Sequence, residues 1–68
     1  MTMLKVIEVL AQSEKSWEDA TNNALLQARE TVRGIRSIYI KNMEAVVEDG
    51  RISEYRINAK ISFLLDGA

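Results

Sequence analysis

The chain has 68 residues, 9 basic and 10 acidic, with a net charge of -1 and neither cysteine nor histidine. That length allows one domain over 1–68 and a core too small to be comfortable alone. With disulfides and a structural zinc removed as remedies, oligomerisation stays open. Balanced charge gives no reason to expect nucleic acid or an anionic membrane. The N-terminal MTMLKVIEVL lacks the basic leader of a signal peptide and the length of a membrane span, so a cytoplasmic protein is expected.

In chain order, Met3 to Leu10 reads as the first strand. Leu4, Val6 and Leu10 alternate with Lys5, Ile7 and Val9, so both faces carry apolar residues and Glu8 is the main exception. Ala11 to Lys15 is a polar connection. It leads into Ser16 to Gly34, which the patterning makes one amphipathic helix. Ser16 caps the first turn, Asp19 stands at the spacing of a capping box, and Glu18 and Asp19 bring negative charge to the positive pole. Arg29 and Arg33 favour the opposite pole, and Gly34 can turn left-handed after the last turn. Trp17, Ala20, Thr21, Ala24, Leu25, Ala28, Thr31 and Val32 form a narrow, alanine-rich stripe suited to lying close on a sheet, with Trp17 filling core.

Ile35 to Val47 reads as the second strand, with Ile38 and Ile40 on one face and Ser37, Tyr39 and Lys41 on the other. The alternation then slips, which predicts a bulge near Asn42 to Ala45. Glu48, Asp49 and Gly50 signal a tight hairpin. The third strand, Arg51 to Leu65, points Tyr55, Ile57, Ala59, Ile61, Phe63 and Leu65 one way and Arg56, Asn58, Lys60 and Ser62 the other. Asp66, Gly67 and Ala68 read as a frayed tail.

The expected fold is α+β in the order strand-helix-strand-strand, a three-stranded antiparallel sheet wrapped around one helix. A single helix covers roughly 10 Å of width, enough for about two strands, so apolar surface is left over. Leu26, Val46 and Val47 add to it and are expected to make subunit contacts. Catalysis is not expected. The chain has no histidine or cysteine to act as base or nucleophile and no glycine-rich phosphate loop, and helix capping accounts for the Glu18–Asp19 pair.

The segments VIEVLAQSEKSWEDA, ARETVRGIRS and EYRINAKISFLLDG, in this order and spacing, resemble the dodecins over nearly the whole chain. The resemblance implies a hollow dodecamer of cubic symmetry, a homo-oligomer that sequesters a small-molecule ligand. In characterised members this is riboflavin, FMN or a related flavin, held between subunits by a stacking tryptophan and a polar residue, usually glutamine. The matching positions here are Ser37 and Arg56. Serine offers no aromatic face, which implies weak flavin affinity, with Tyr39 as the substitute platform. In SWEDA, in IRS without the tryptophan, and in YRI followed by KISF, the chain also resembles a tryptophan-less branch associated with calcium or other ions. The alternative is therefore a shell that binds calcium or magnesium, or is purely structural. Its candidate oxygen ligands are Glu14, Asn42 and Glu44, with Glu48, Asp49 and Glu54 as further acids; Asn42 matches an axis-lining acid of flavin-binding members, and symmetry would repeat each ligand around an axis.

Overall fold

The computed structural model describes residues 2–65; the tail read above as frayed, Asp66, Gly67 and Ala68, lies outside the described residues. Strand β1 spans Leu4–Ser13, helix α1 Trp17–Arg29, β2 Ile35–Glu48 and β3 Arg51–Leu64. The three strands form one antiparallel sheet in the order β1-β3-β2, with β3 at its centre.

The helix begins as its sequence dictates. Ser16 is extended and its hydroxyl accepts from the Asp19 N–H at 2.9 Å, with Glu18 and Asp19 in the first turn. The reciprocal half of the expected capping box is redirected. The Asp19 carboxylate takes the hydroxyl of Ser13 instead, at 2.6 Å, and Ser13 also accepts from the Lys15 N–H. These bonds fix the short turn between β1 and α1.

The helix ends earlier than the sequence suggests, at Arg29 rather than beside Gly34. The N–H groups of Glu30 and Thr31 reach back only three residues, to Gln27 and Ala28, which tightens the final turn. Thr31 and Val32, both β-branched, then leave the helix because Gly34 is already committed to the sheet: its carbonyl accepts from Leu64 N–H at 2.9 Å. Gly34 has φ 70 there, and a Cβ would stand 3.3 Å from that of Leu64. Arg33 is therefore not on the helix.

Strand β1 runs three residues further than its apolar pattern, because Ala11, Gln12 and Ser13 pair with Ile57, Arg56 and Tyr55 on the side of β3 away from β2. Backbone pairing extends the strand past the point where alternation stops. The expected slip in β2 is present one residue early. Register shifts between Ile40 and Asn42, leaving Lys41 unopposed, and further shifts fall at Ile35/Ser37 and Val46/Val47. The hairpin is as read, with Asp49 at φ 51 and Gly50 at φ 75, the pair of positive angles of a type I′ turn.

Ala20, Ala24, Ile57, Ala59 and Ile61 are buried where α1 crosses the sheet. Alanine facing alanine brings the helix close, and Val9, Ala11, Trp17, Ile38 and Ile40 close around the contact. Burying Ile57 and Ile61 contributes roughly 1.5–3 kcal/mol each. Trp17 packs its ring edge-on to Tyr55, with centroids 4.9 Å apart, and donates from Nε1 to the Glu44 carbonyl at 3.0 Å, which ties the helix start to β2.

The helix covers β1 and β3 and barely reaches β2. Coverage along the strands is shorter still: a 13-residue helix is about 20 Å long, against about 48 Å for a 14-residue strand, in a molecule 51 × 20 × 13 Å across. Met43, Val47 and Ile52 are consequently exposed towards the hairpin, as is Leu26 on the helix. Val46, expected to be exposed, is half-buried, and its carbonyl accepts from Ser53 Oγ.

Candidate functional site on the outer face of the sheet

The sheet face away from α1 carries the chemistry. Because β3 is central, each of its outward residues has a neighbour on both sides. Val6, Ser62 and Ser37 make one row; Glu8, Lys60 and Tyr39 the next; Leu10, Asn58 and Asn42 a third; Gln12, Arg56 and Glu44 a fourth. The bulge at Lys41 keeps Asn42 and Glu44 on this face, since it reverses the parity of β2 between Ile40 and Asn42.

Arg56 is held at both ends of its row. Its Nε donates to Gln12 Oε1 at 2.8 Å and its Nη1 to Glu44 Oε1 at 3.2 Å, so the guanidinium bridges all three strands. Lys41 lies 3.6 Å from Glu8 across the sheet. The Asn58 side-chain amide and then the Lys41 ammonium hold the Glu8 carboxyl below the usual carboxylate value, with Lys60 adding to the effect. Asn58 Oδ1 is buried and has no hydrogen-bond partner. An orphaned buried amide oxygen is a strong acceptor lacking a donor or a cation.

A hollow of about 310 Å3 is lined by Leu10, Asn42, Met43, Glu44, Arg56 and Asn58. The structure thus brings Asn42, Glu44 and Arg56 together. It does not bring Ser37 to Arg56 within one chain: Ser62, which faces Ser37 on β3, lies six residues from Arg56, about 20 Å along the strand. Ser37 is occupied by a hydroxyl–hydroxyl hydrogen bond to Ser62 at 2.5 Å, and Tyr39, 64% exposed, sits between the two on the same face. Glu14 lies elsewhere, in a hollow beyond the end of β1 shared with Ser13, Asp19 and Glu54. Among the described residues no three His, Cys, Asp or Glu side chains gather closely enough to hold a metal ion. What one chain offers at Asn42 is therefore two amide side chains and one carboxylate.

Three residues of this face carry no signal of their own in the sequence. Gln12 stands in a polar segment that reads as a connection, and Glu8 and Asn58 read as ordinary polar strand residues. Only the register places Gln12 against Arg56 and Asn58 between Leu10 and Asn42.

Comparison with known proteins agrees with this architecture. Residues 3–66 match the family model for dodecin. The calcium dodecin of Mycobacterium tuberculosis is 33% identical over 63 residues, covering 93% of this chain and 89% of that protein. The dodecin of Thermus thermophilus is 27% identical over 62 residues, 91% of this chain and 90% of that one. A crystal structure of the mycobacterial protein, described as calcium chelating with a novel calcium-binding site, superposes with a TM-score of 0.83 over 97% of this chain and 94% of its own. A point variant of the Thermus dodecin superposes at 0.92, 26% identical, over 97% and 98%. On the family match, the order of elements and these superpositions, the chain belongs to the dodecin family.

Proposed function

We propose that this protein assembles with copies of itself into a dodecin-type shell, a dodecamer, and binds a divalent cation of the calcium class around Asn42, Glu44 and Asn58. The observation that carries this reading is the buried, unpartnered Asn58 Oδ1 on a residue lining the same hollow as Asn42 and Glu44. Calcium takes six to eight oxygen ligands and accepts amide oxygens as readily as carboxylates. One chain supplies about half that number, so the site is completed where subunits meet, and rotational symmetry multiplies each donor. The apolar residues exposed beside it, Leu10 and Met43, suit an interface. Arg56 engages only Oε1 of Glu44. The 33% identity to a protein named calcium dodecin points the same way. In this reading the protein binds and does not catalyse.

Flavin binding is the second reading, favoured by the exposure of Tyr39 beside Ser37 on the outer face. Riboflavin or FMN would stack on Tyr39 with Arg56 contributed by another subunit, more weakly than on a tryptophan.

The test is a calcium titration of the chelator-treated assembly by calorimetry, with native mass measured in parallel. Saturable binding that is lost in Asn42→Ala and weakened in Glu44→Gln is expected. No heat above that of matched sodium chloride overturns the cation reading. Riboflavin fluorescence, quenched on stacking, separates the alternatives: quenching in the native protein that strengthens in Ser37→Trp marks a flavin site.

A further inference from the structure

The net charge of -1 conceals a local concentration of arginine that neither reading uses. Arg29, Arg33 and Arg36 line a hollow of about 1010 Å3 between the end of α1 and the start of β2. Arg29 belongs to the last helical turn and complements its carbonyls. Because the helix stops there, that explanation does not extend to Arg33 and Arg36. Arg36 is the unopposed residue where register steps from Ile35–Phe63 to Ser37–Ser62, and such bulges re-aim a side chain.

Among the described residues none of the three arginines is ion-paired; the pairs present are Lys41–Glu8 and Arg56–Glu44. One carboxylate, Glu30, lines the same hollow, so positive charge remains in excess. The turn itself is fixed by the Leu64 N–H to Gly34 carbonyl bond. Leu25, Val32 and Ile38 add an apolar wall.

We propose that this arginine mouth binds the phosphate group of a small phosphorylated molecule whose apolar body lies against Leu25, Val32 and Ile38. Guanidinium forks match the oxygens of a phosphate in paired, charge-assisted hydrogen bonds, and three arginines lining one hollow suit a dianion better than a single carboxylate. The apolar wall gives the remainder of the ligand a place that inorganic phosphate alone leaves empty. This site is separate from the Asn42 hollow, so its test does not depend on the cation reading.

The experiment is calorimetric titration of the assembled protein at low ionic strength with pyrophosphate, phenyl phosphate and phenol, using sodium chloride at matched ionic strength as the control. Saturable binding of both phosphates and none of phenol is expected. Each arginine removed costs about tenfold in affinity, so Arg33→Gln combined with Arg36→Gln weakens phenyl phosphate about a hundredfold, whereas Arg51→Gln at the far end of the hairpin changes nothing. If the double variant loses its native mass, Arg29→Gln alone is read, with about tenfold weakening expected. Heats equal to the chloride control, or variants that bind as tightly as the native protein, overturn the proposal.

Discussion

The two faces of the sheet have the same strands, the same registers and opposite fates. On the inner face Ile57, Ala59 and Ile61 are at most 1% exposed, because α1 lies on them through Ala20, itself fully buried. On the outer face Val6 is 54% exposed, Leu10 69% and Tyr39 64%, interleaved with Glu8, Lys60, Arg56 and Glu44. The inner face is completed by the chain itself. The outer face leaves apolar side chains exposed among bonded polar rows, and the proposed assembly would cover them with another surface.

This contrast can be broken most directly at its two centres. Ile57→Ala opens a cavity under the helix and should lower unfolding free energy by about 2–5 kcal/mol in denaturant titration, by a similar amount at every protein concentration. Leu10→Lys should leave the fold intact, as read by circular dichroism, yet reduce the native mass of the particle. A variant that keeps the native mass would show that the outer face is not a subunit contact. Its loss of stability should grow on dilution, as expected when assembly stabilises the subunit.

Smaller effects sharpen the account of how the helix is seated. Trp17→Phe keeps a ring against Tyr55 but removes the donor to the Glu44 carbonyl, for an expected loss of about 0.5–1.5 kcal/mol. Since Glu44 also receives Arg56, this variant should disturb the cation binding proposed at Asn42 more than Ser16→Ala does. The latter removes only the helix cap, at about 1 kcal/mol.

The smallest expected effect is a pH dependence on the outer face. Asn58, Lys41 and Lys60 depress the Glu8 carboxyl below its unfolded value, so the stabilisation is present above that unfolded value and is lost as pH falls through the lower folded one. Glu8→Gln should flatten the acid limb of a thermal-melt series, slightly lowering stability at neutral pH and leaving it unchanged in acid, where the carboxyl is protonated in either state. Because the pair is exposed, added salt should flatten it too. An acid limb identical in both proteins would remove Glu8 from the explanation.

Local physics written in adjacent residues was legible without coordinates. The Ser16 cap, the Asp49–Gly50 hairpin, the alternation from Tyr55 to Phe63 and the alanine stripe of α1 each rest on contacts within a few positions or on a strict period. What failed was where an element ended under a distant demand. The helix stops at Arg29 because Gly34 is bonded to Leu64, and β1 continues through Ser13 because Tyr55 stands opposite. The candidate site divided along the same line. Asn42 and Glu44 were recognisable as oxygen donors by type, whereas the orphaned oxygen of Asn58 and the clamp of Gln12 and Glu44 on Arg56 exist only through the register of three strands.

By itself, then, the sequence determined the four elements, their order and the faces they bury, because periodicity and capping act over single turns and pleats. The tertiary structure alone decided which strand is central, which residue of β2 is left unopposed at its slip, and which polar side chains meet across the sheet, because pairing partners up to 60 residues apart carry no local signature in the chain.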